Sequence, residues 1–504
     1  MTTVSKEVDP QGVEESAGDR HHRLRWVILG VLGLAQLMVV LDATIVNIAL
    51  PHAQESLGFD NADRQWIVTA YALAFGSLLL LGGRLSDIFG RRNTLLIGLV
   101  GFAVMSAVGG AAVNFDMLVI ARAGQGVFGA LLAPAALSLL TTSFVDPKER
   151  GTAFGIFGAI AGGGGAIGLL LGGVLTEWAD WRWCLYVNLA IAAIAIVGAL
   201  LFIGSQKAQV RPRLDLPGVV TVSIALFSIV YGFSNAETNG WGDWATITWL
   251  IAGVVVLAVF VYLQSKTAHA LLPLRIVLDR TRGGSFLMVF ITGIGMFGIF
   301  LFLTYYLQQN LGFSPISTGL AFLPMIGALV VTATLSTSIF LPRFGPRWLM
   351  TVGMLVAAGG MLLLTQLTET STYAAHILPG LIIMGLGIGA SMAPAMQGAI
   401  SGVSADDAGV ASATVNTMQQ VGGSVGTALL STIASSAVTS YLTDHASQMA
   451  SNPQYTGQLA AVHSYTTAFG WAAGIFAIGG IIAAVLIRSG KLPATPEDAL
   501  VVHA

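Results

Sequence analysis

The sequence predicts an all-α polytopic membrane protein, and three observations carry that prediction. Of 504 residues, 55% are hydrophobic and only 10% are charged, where a soluble domain carries about 25% charged residues. The apolar residues gather into runs of about twenty, the length a helix needs to cross a bilayer core of about 30 Å. Lysine and arginine collect on alternate connections between those runs, as positive charge retained on the cytoplasmic side does.

Residues 1–25 are polar and pass into the first apolar run without a small-residue cleavage pattern, which predicts an uncleaved first span and a cytoplasmic amino terminus. Fourteen spans follow. The first seven run from Trp26 to Leu50, Trp66 to Leu81, Thr94 to Val113, Met117 to Leu140, Thr152 to Leu175, Cys184 to Ile203 and Leu216 to Phe233. The second seven run from Trp244 to Leu263, Ser285 to Tyr305, Ser317 to Phe340, Trp348 to Leu367, Ala374 to Ala395, Gly409 to Ala434 and Tyr465 to Ile487. With the amino terminus inside, 20 of the 23 Lys and Arg lie on cytoplasmic segments or their edges, the exceptions being Arg64, Arg122 and Arg182. An even number of spans returns the carboxyl terminus to the cytoplasm.

The net charge of -2 points to neither nucleic acid nor an acidic partner, and the single cysteine, Cys184, excludes an intrachain disulfide and a cysteine metal cluster. The 61 glycines suit helices that pack closely in a membrane.

An internal repeat is visible. Leu57-Gly58-Phe59 before span 2 recurs as Leu311-Gly312-Phe313 before span 10, and Phe89-Gly90-Arg91-Arg92 after span 2 as Phe344-Gly345-Pro346-Arg347 after span 10. A weaker alignment sets Ser143 to Gly168 over Ser401 to Gly426. The offset spans eight helices, so six-helix halves are expected with spans 7 and 8 inserted between them. Parallel repeats of this kind place a substrate site between the halves.

Asp42 is the one carboxylate well inside a span, and Arg122 in span 4 the one buried cation. A central Asp costs about 2.5 to 3.5 kcal/mol on insertion scales, so it is expected to face a cavity or a partner. A carboxylate placed between desolvation and a nearby cation is suited to carry a proton. Helix rise puts Asp42 and Arg122 at similar depth, where they meet if spans 1 and 4 are neighbours; a structural ion pair is the plainer alternative. In span 5, Gly164, Gly168 and Gly172 recur every fourth residue and make a smooth packing face, with Gly173 beside it. Gln36, Asn47, Tyr71, Tyr305, Tyr306, Gln308, Gln419 and Gln420 are candidate cavity groups, although for each one taken singly packing or the interfacial belt is the plainer reading. Trp241 and Trp244 suit interface anchors, and Asp406 and Asp407 suit the positive end of span 13. Gly422-Gly423-Ser424-Val425-Gly426 spells a hydrolase motif but falls inside span 13, away from the strand, turn and helix such a serine needs. No phosphate-binding G-x-x-x-x-G-K-[ST] occurs, and no convergent catalytic set appears. An enzyme is therefore not expected.

These segments resemble the major facilitator superfamily, and within it the fourteen-span drug:proton antiporters. Gly83-Arg84-Leu85-Ser86-Asp87-Ile88-Phe89-Gly90-Arg91-Arg92 is similar to the superfamily's loop signature, and Asp87 and Arg91, read as one helical turn apart, suit a charge latch. Leu41 to Pro51 resembles the branch's span 1 signature, and Arg122-Ala123-Gly124-Gln125-Gly126 its span 4 motif. Trp181-Arg182-Trp183 with Asn188, and Tyr306 to Pro324, also look like this branch. The resemblance implies a major facilitator fold of two six-helix bundles plus two inserted helices. Its parts are a tail (1–25), a first bundle (26–204), a linker with two helices (205–282), a second bundle (283–488) and a tail (489–504). It implies Asp42 and Arg122 in proton coupling, a conformational role for Gly83, Asp87, Gly90, Arg91 and Arg92, and an antiporter role for the span 5 glycines. In that motif Leu169 stands where the family has proline, and Ala190 departs likewise. Span 10 lacks an acid, so neutral or monocationic compounds are expected over dications.

The implied function is export of hydrophobic drugs, dyes or a secondary metabolite across the cytoplasmic membrane in exchange for protons. Export or flipping of a lipid-like metabolite, and a non-transporting membrane sensor, stand as alternatives. The expected partners are a small amphipathic organic substrate, protons and the lipid bilayer, with no nucleic acid, cofactor, metal or obligate protein partner.

Overall fold

The computed structural model describes residues 10–60, 63–144, 147–204, 215–267, 270–403 and 408–490. Within them every regular element is a helix. The first eight are α1 (Pro10–Leu57), α2 (Arg64–Phe89), α3 (Arg91–Gly110), α4 (Phe115–Ser143), α5 (Pro147–Trp178), α6 (Trp183–Phe202), α7 (Leu216–Asn239) and α8 (Trp244–Lys266). After a short α9 (Leu274–Val277) come α10 (Arg280–Tyr305), α11 (Pro315–Leu335), α12 (Leu341–Leu364), α13 (Leu378–Ile400) and α14 (Ala408–Asp444). A short α15 (Ala446–Ser451) precedes α16 (Pro453–Leu486). Five-residue π-helical turns extend α10 over Tyr306–Asn310, follow α11 over Ser336–Phe340 and lead into α13 over Tyr373–Ile377.

Eleven helical segments among the described residues are long and apolar enough to cross a membrane. One of them, Pro315–Leu364, runs 50 residues, roughly 75 Å at 1.5 Å per residue. That is more than twice the bilayer core, and the path breaks at Gly345, whose φ of 74° and ψ of 170° no helix contains. Local chemistry sets the helix starts. Asn114 accepts from the Met117 amide, Asp243 from those of Ala245 and Thr246, Asp279 from those of Thr281 and Arg282, and Ser314 from that of Ser317 ahead of Pro315. Each fills a donor the first turn cannot use itself.

Several sequence boundaries shift. The tail expected over 1–25 is helical from Pro10, and span 1 continues through Pro51 to Leu57. A proline inside a membrane helix is tolerated where neighbouring groups satisfy the freed backbone. Lys6, Lys207, Arg211, Arg213, Asp406, Asp407 and Lys491 lie outside the described residues.

The helices pair as two copies of one arrangement. In the first half α1 packs against α5 and α6 and crosses α4, α2 lies against α4, and α3 lies against α4 and α6. Moving along by the repeat reproduces it: α10 against α14, α16 and α13, α11 against α13, and α12 against α13 and α16. The seams between halves, α2 with α14 and α5 with α11, are images of each other. The backbone breaks repeat as well. Gly58 and Gly312 have φ of 68° and 65°, and Gly90 and Gly345 have φ of 86° and 74°. Positive φ is open to glycine at little cost, so the short motifs mark the same corners in both halves.

The hairpin α7–α8 belongs to neither half. Its α7 lies along both α2 and α14, while α8 packs mainly on α7 and turns outward Val254, Val255 and Val261. Gln65 Nε2 donates to Ser234 Oγ at 3.3 Å, and Thr432 Oγ1 to the Phe233 carbonyl at 2.7 Å, so α7 is bonded to each half. At its base Asp215, 7% exposed, accepts from the Gly218 amide, Gln264 Nε2 and the Leu271 amide.

Candidate functional site: a buried ion pair in the first half

Four helices bring polar side chains to one buried point. Asp42 on α1 is 0% exposed, and its Oδ2 accepts from an Arg122 guanidinium nitrogen on α4 at 2.5 Å. Its Oδ1 accepts from Gln125 Nε2, one turn further along α4, and from Asn188 Nδ2 on α6, both at 2.8 Å. Ser106 Oγ on α3 accepts from the same two amides, at 2.6 Å and 3.3 Å. Arg122 also donates to Gln125 Oε1 at 2.9 Å and to the Ile67 carbonyl of α2 at 3.1 Å. Its flat guanidinium also lies 4.4 Å from the centre of the Tyr71 ring, a cation–π contact. The Tyr71 hydroxyl donates to the Val39 carbonyl at 3.3 Å.

Burying two charges costs several kcal/mol each, and attraction offsets that only when the remaining donors and acceptors are also filled. Here the two amides and the backbone carbonyl fill most of them. Asn188 Oδ1 is left without a partner among the described residues. Beside Arg122 lies a void of about 10 Å³, walled by Val46, Leu50, Ile67, Leu118, Trp181 and Cys184 among others, room for roughly one water molecule.

The glycines of α5 fix how closely α1 approaches. A side chain at Gly164 would meet Val40, one at Gly168 would meet Thr44, and one at Gly172 would meet Ile45, the residues flanking Asp42 on α1. Gly173 instead faces Pro315 and Ile316 of α11, and the Leu169 carbonyl lies against Gly319 of the same helix.

The loop after α2 differs from its sequence reading. The helix ends at Phe89 and α3 begins at Arg91, with Gly90 at positive φ between them. Asp87 and Arg91 therefore lie on two successive helices rather than one turn apart on a continuous one; the Asp87 side chain lies outside the described residues. Arg92 caps α6 by donating to the Ala199 and Leu200 carbonyls, and Arg84 reaches the Ala270 carbonyl below the hairpin. Gly83 faces Pro134 of α4.

The expected cavity residues scatter. Tyr71 belongs to the ion-pair network, and the Asn47 amide bonds back to the Ala43 and Thr44 carbonyls of its own helix. Tyr306 stays in the second half, its hydroxyl donating to the Thr368 carbonyl at 2.6 Å. Tyr305 and Gln308 cross between halves, to Gln54 Oε1 at 2.7 Å and to the Ile48 carbonyl at 3.2 Å. Gln420 packs on Gly76 in the α2–α14 seam, the Gln419 carbonyl faces Gly293, and Gln36 is half-buried on α1. Arg122 is not the sole buried cation either, because Arg64 is 8% exposed. Sequence reasoning gave no role to Gln125, Asn188 or Ser106 in this network. The signal available was their depth, level with Asp42 on the neighbouring helices. Ser424, in the hydrolase-like spelling, is fully buried in α14 with no partner to its hydroxyl among the described residues. No group of His, Cys, Asp and Glu suited to a metal occurs among those residues.

Two repeat-related helical bundles with a satisfied ion pair buried in one of them define a polytopic transporter built from parallel repeats. The chain belongs to the Major Facilitator Superfamily, whose model matches residues 32–427. It is 48% identical over 479 residues to the puromycin resistance protein pur8 of Streptomyces alboniger, covering 95% of this chain and 94% of that one. It is 34% identical over 431 residues to the tetracenomycin C resistance and export protein of Streptomyces glaucescens, covering 85% and 80%. Among solved structures, a bacterial homologue of the human lysosomal transporter Spinster, inward-facing and unoccupied, superposes with a TM-score of 0.62 at 17% identity, covering 92% of this chain and 96% of that one. That likeness is one of fold.

Proposed function

We propose that this protein exports small amphipathic antibiotics from the cytoplasm in exchange for protons, as a fourteen-span member of the superfamily with both termini cytoplasmic. The observation that carries the reading is the Asp42–Arg122 pair, fully buried and held by Gln125 and Asn188. A proton on Asp42 removes the charge that Arg122 faces while leaving Arg122 its bonds to Gln125, Ile67 and Tyr71. The site then has two self-consistent states differing by one proton. Asp42 faces α4 and α6, while the same turns of α1 rest through Val40, Thr44 and Ile45 on the α5 glycines, so a shift of α1 that follows a change in Asp42 bonding reaches the helix that also forms the α5–α11 seam. In this reading residues 26–204 and 283–488 are the moving bundles, 205–282 the linker with the inserted hairpin, and 1–25 and 489–504 the tails.

The named activities of the two relatives, resistance to puromycin and export of tetracenomycin C, support an antibiotic as substrate. Puromycin is the first compound to test. In inverted vesicles with an acidic interior, the protein takes up labelled puromycin and Asp42→Asn does not. Uptake by Asp42→Asn that still follows the proton gradient defeats the coupling role. Uptake that ignores the gradient in both proteins defeats proton exchange itself.

A further inference from the structure

The antiport reading leaves one buried charge unused. Arg64, the first residue of α2, is 8% exposed, and none of the ion pairs between described residues includes it. Its guanidinium lies 4.2 Å from the centre of the Tyr305 ring and 6.0 Å from that of Phe302, both on α10 in the opposite half. Aromatic faces attract a desolvated cation electrostatically, which gives Arg64 a partner in place of a carboxylate. Tyr305, itself 0% exposed, also donates its hydroxyl to Gln54 Oε1 of α1 at 2.7 Å. One side chain of the second half is thus gripped by two helices of the first.

The surroundings are less settled than that grip. Immediately after Tyr305 the backbone passes into the π-helical turn Tyr306–Asn310, a geometry that recurs at functional positions. In that turn Gln308 Oε1 and Asn310 Nδ2 are buried without partners among the described residues. Buried polar atoms without partners favour any state that hydrates them. Two nearby contacts, Gln308 to the Ile48 carbonyl and the Ile316 amide to Glu177, are further direct hydrogen bonds between the halves. All lie at one end of the bundle.

We propose that Arg64 is the latch of the outer gate: its hold on Tyr305 keeps the halves together at that end, and its release opens the path by which substrate leaves. The inference rests on the orientation and transport reading above.

The test places a single reporter cysteine at Asn310 in a Cys184→Ser background and times its labelling by a membrane-impermeant maleimide applied outside intact cells. Arg64→Gln is expected to speed labelling by about tenfold, which corresponds to about 1.4 kcal/mol. Arg64→Lys returns part of the protection. Tyr305→Leu matches Arg64→Gln, while Tyr305→Phe, which keeps the ring and loses the Gln54 bond, has a smaller effect. Unchanged labelling in Arg64→Gln overturns the latch. If that variant fails to insert, Tyr305→Leu carries the test with Arg64 intact, and unchanged labelling there overturns it equally. The measurement needs neither substrate nor proton gradient, so failure of antiport leaves it standing. A reversed orientation shows itself separately, as labelling confined to inverted vesicles.

Discussion

Replacing Asp42 by Asn separates what the ion pair does for the fold from what it does for transport. The substitution keeps shape and removes charge, leaving the Arg122 guanidinium 1% exposed with no carboxylate opposite. Removing one partner of a buried pair costs about 3–5 kcal/mol. The lower end is expected here, because Arg122 retains Gln125 Oε1 at 2.9 Å, the Ile67 carbonyl at 3.1 Å and the Tyr71 ring at 4.4 Å. Arg122→Gln leaves Asp42 similarly stranded, with Gln125 and Asn188 as its remaining donors. The double variant Asp42→Asn/Arg122→Gln leaves no lone charge and is expected to lie within about 1–2 kcal/mol of the starting protein, since neutral replacement of both partners is often tolerated. The assay is unfolding of all four proteins in detergent, followed by puromycin uptake in vesicles. The cycle predicts a coupling energy of about 4 kcal/mol or more, with uptake lost in all three variants even where stability returns. A double variant as unstable as the two singles summed refutes the ion-pair argument. A double variant that recovers gradient-driven uptake refutes the role in coupling.

Other predictions concern packing and backbone. Gly168→Val drives a side chain into Thr44 on α1, which stands well inside contact distance of where a Cβ would be; overpacking costs about 1–3 kcal/mol, and uptake is expected to fall further than in Gly164→Ala, where the nearest atoms of Leu37 and Val40 stand at 3.2 Å. Gly345→Ala meets both a positive φ and the Gly490 carbonyl, so a loss of about 1–3 kcal/mol is expected in thermal unfolding. Gly58→Ala meets only the φ of 68° in open space, and equal losses at the two sites would discredit the steric part of the argument. Asp215→Ala removes the acceptor that holds Gln264 and the Leu271 amide. Hydrogen exchange at Leu271 and Leu272 is expected to accelerate while that in α2 and α14 stays unchanged.

Much of this architecture was legible in the chain because lipid leaves few choices. Apolar runs of one bilayer length must be helices, and glycine at matching corners, Gly58 with Gly312 and Gly90 with Gly345, marked the repeat before any coordinates. Asp42 and Arg122 stood out because a charge inside a span needs a reason. Gln125, Asn188 and Ser106 did not, because amides and hydroxyls are common in membrane helices and only the rotation and relative depth of α3, α4 and α6 make them partners. Depth can be counted from the span ends, but rotation is set by packing and is not written in any local pattern. Arg64 was obscured differently: it reads as a loop charge until α10 is seen to cover it. The same limit applied at Asp87, where spacing suggested a continuous helix that Gly90 interrupts.

The inserted hairpin has a mechanical consequence. Two halves joined only by matching seams resemble a clamshell free to part along either edge. Here α7 is fastened to α2 through Ser234 and to α14 through Phe233, so one edge is bound like the spine of a book. Parting there would break at least one of these bonds and expose apolar contacts of α7 to lipid or water, while the α5–α11 edge has the Ile316–Glu177 bond but no bridging helix among the described residues. Rotation of the halves is then expected to be lopsided, with more play along the edge where Gly173 and Gly319 bring α5 and α11 close.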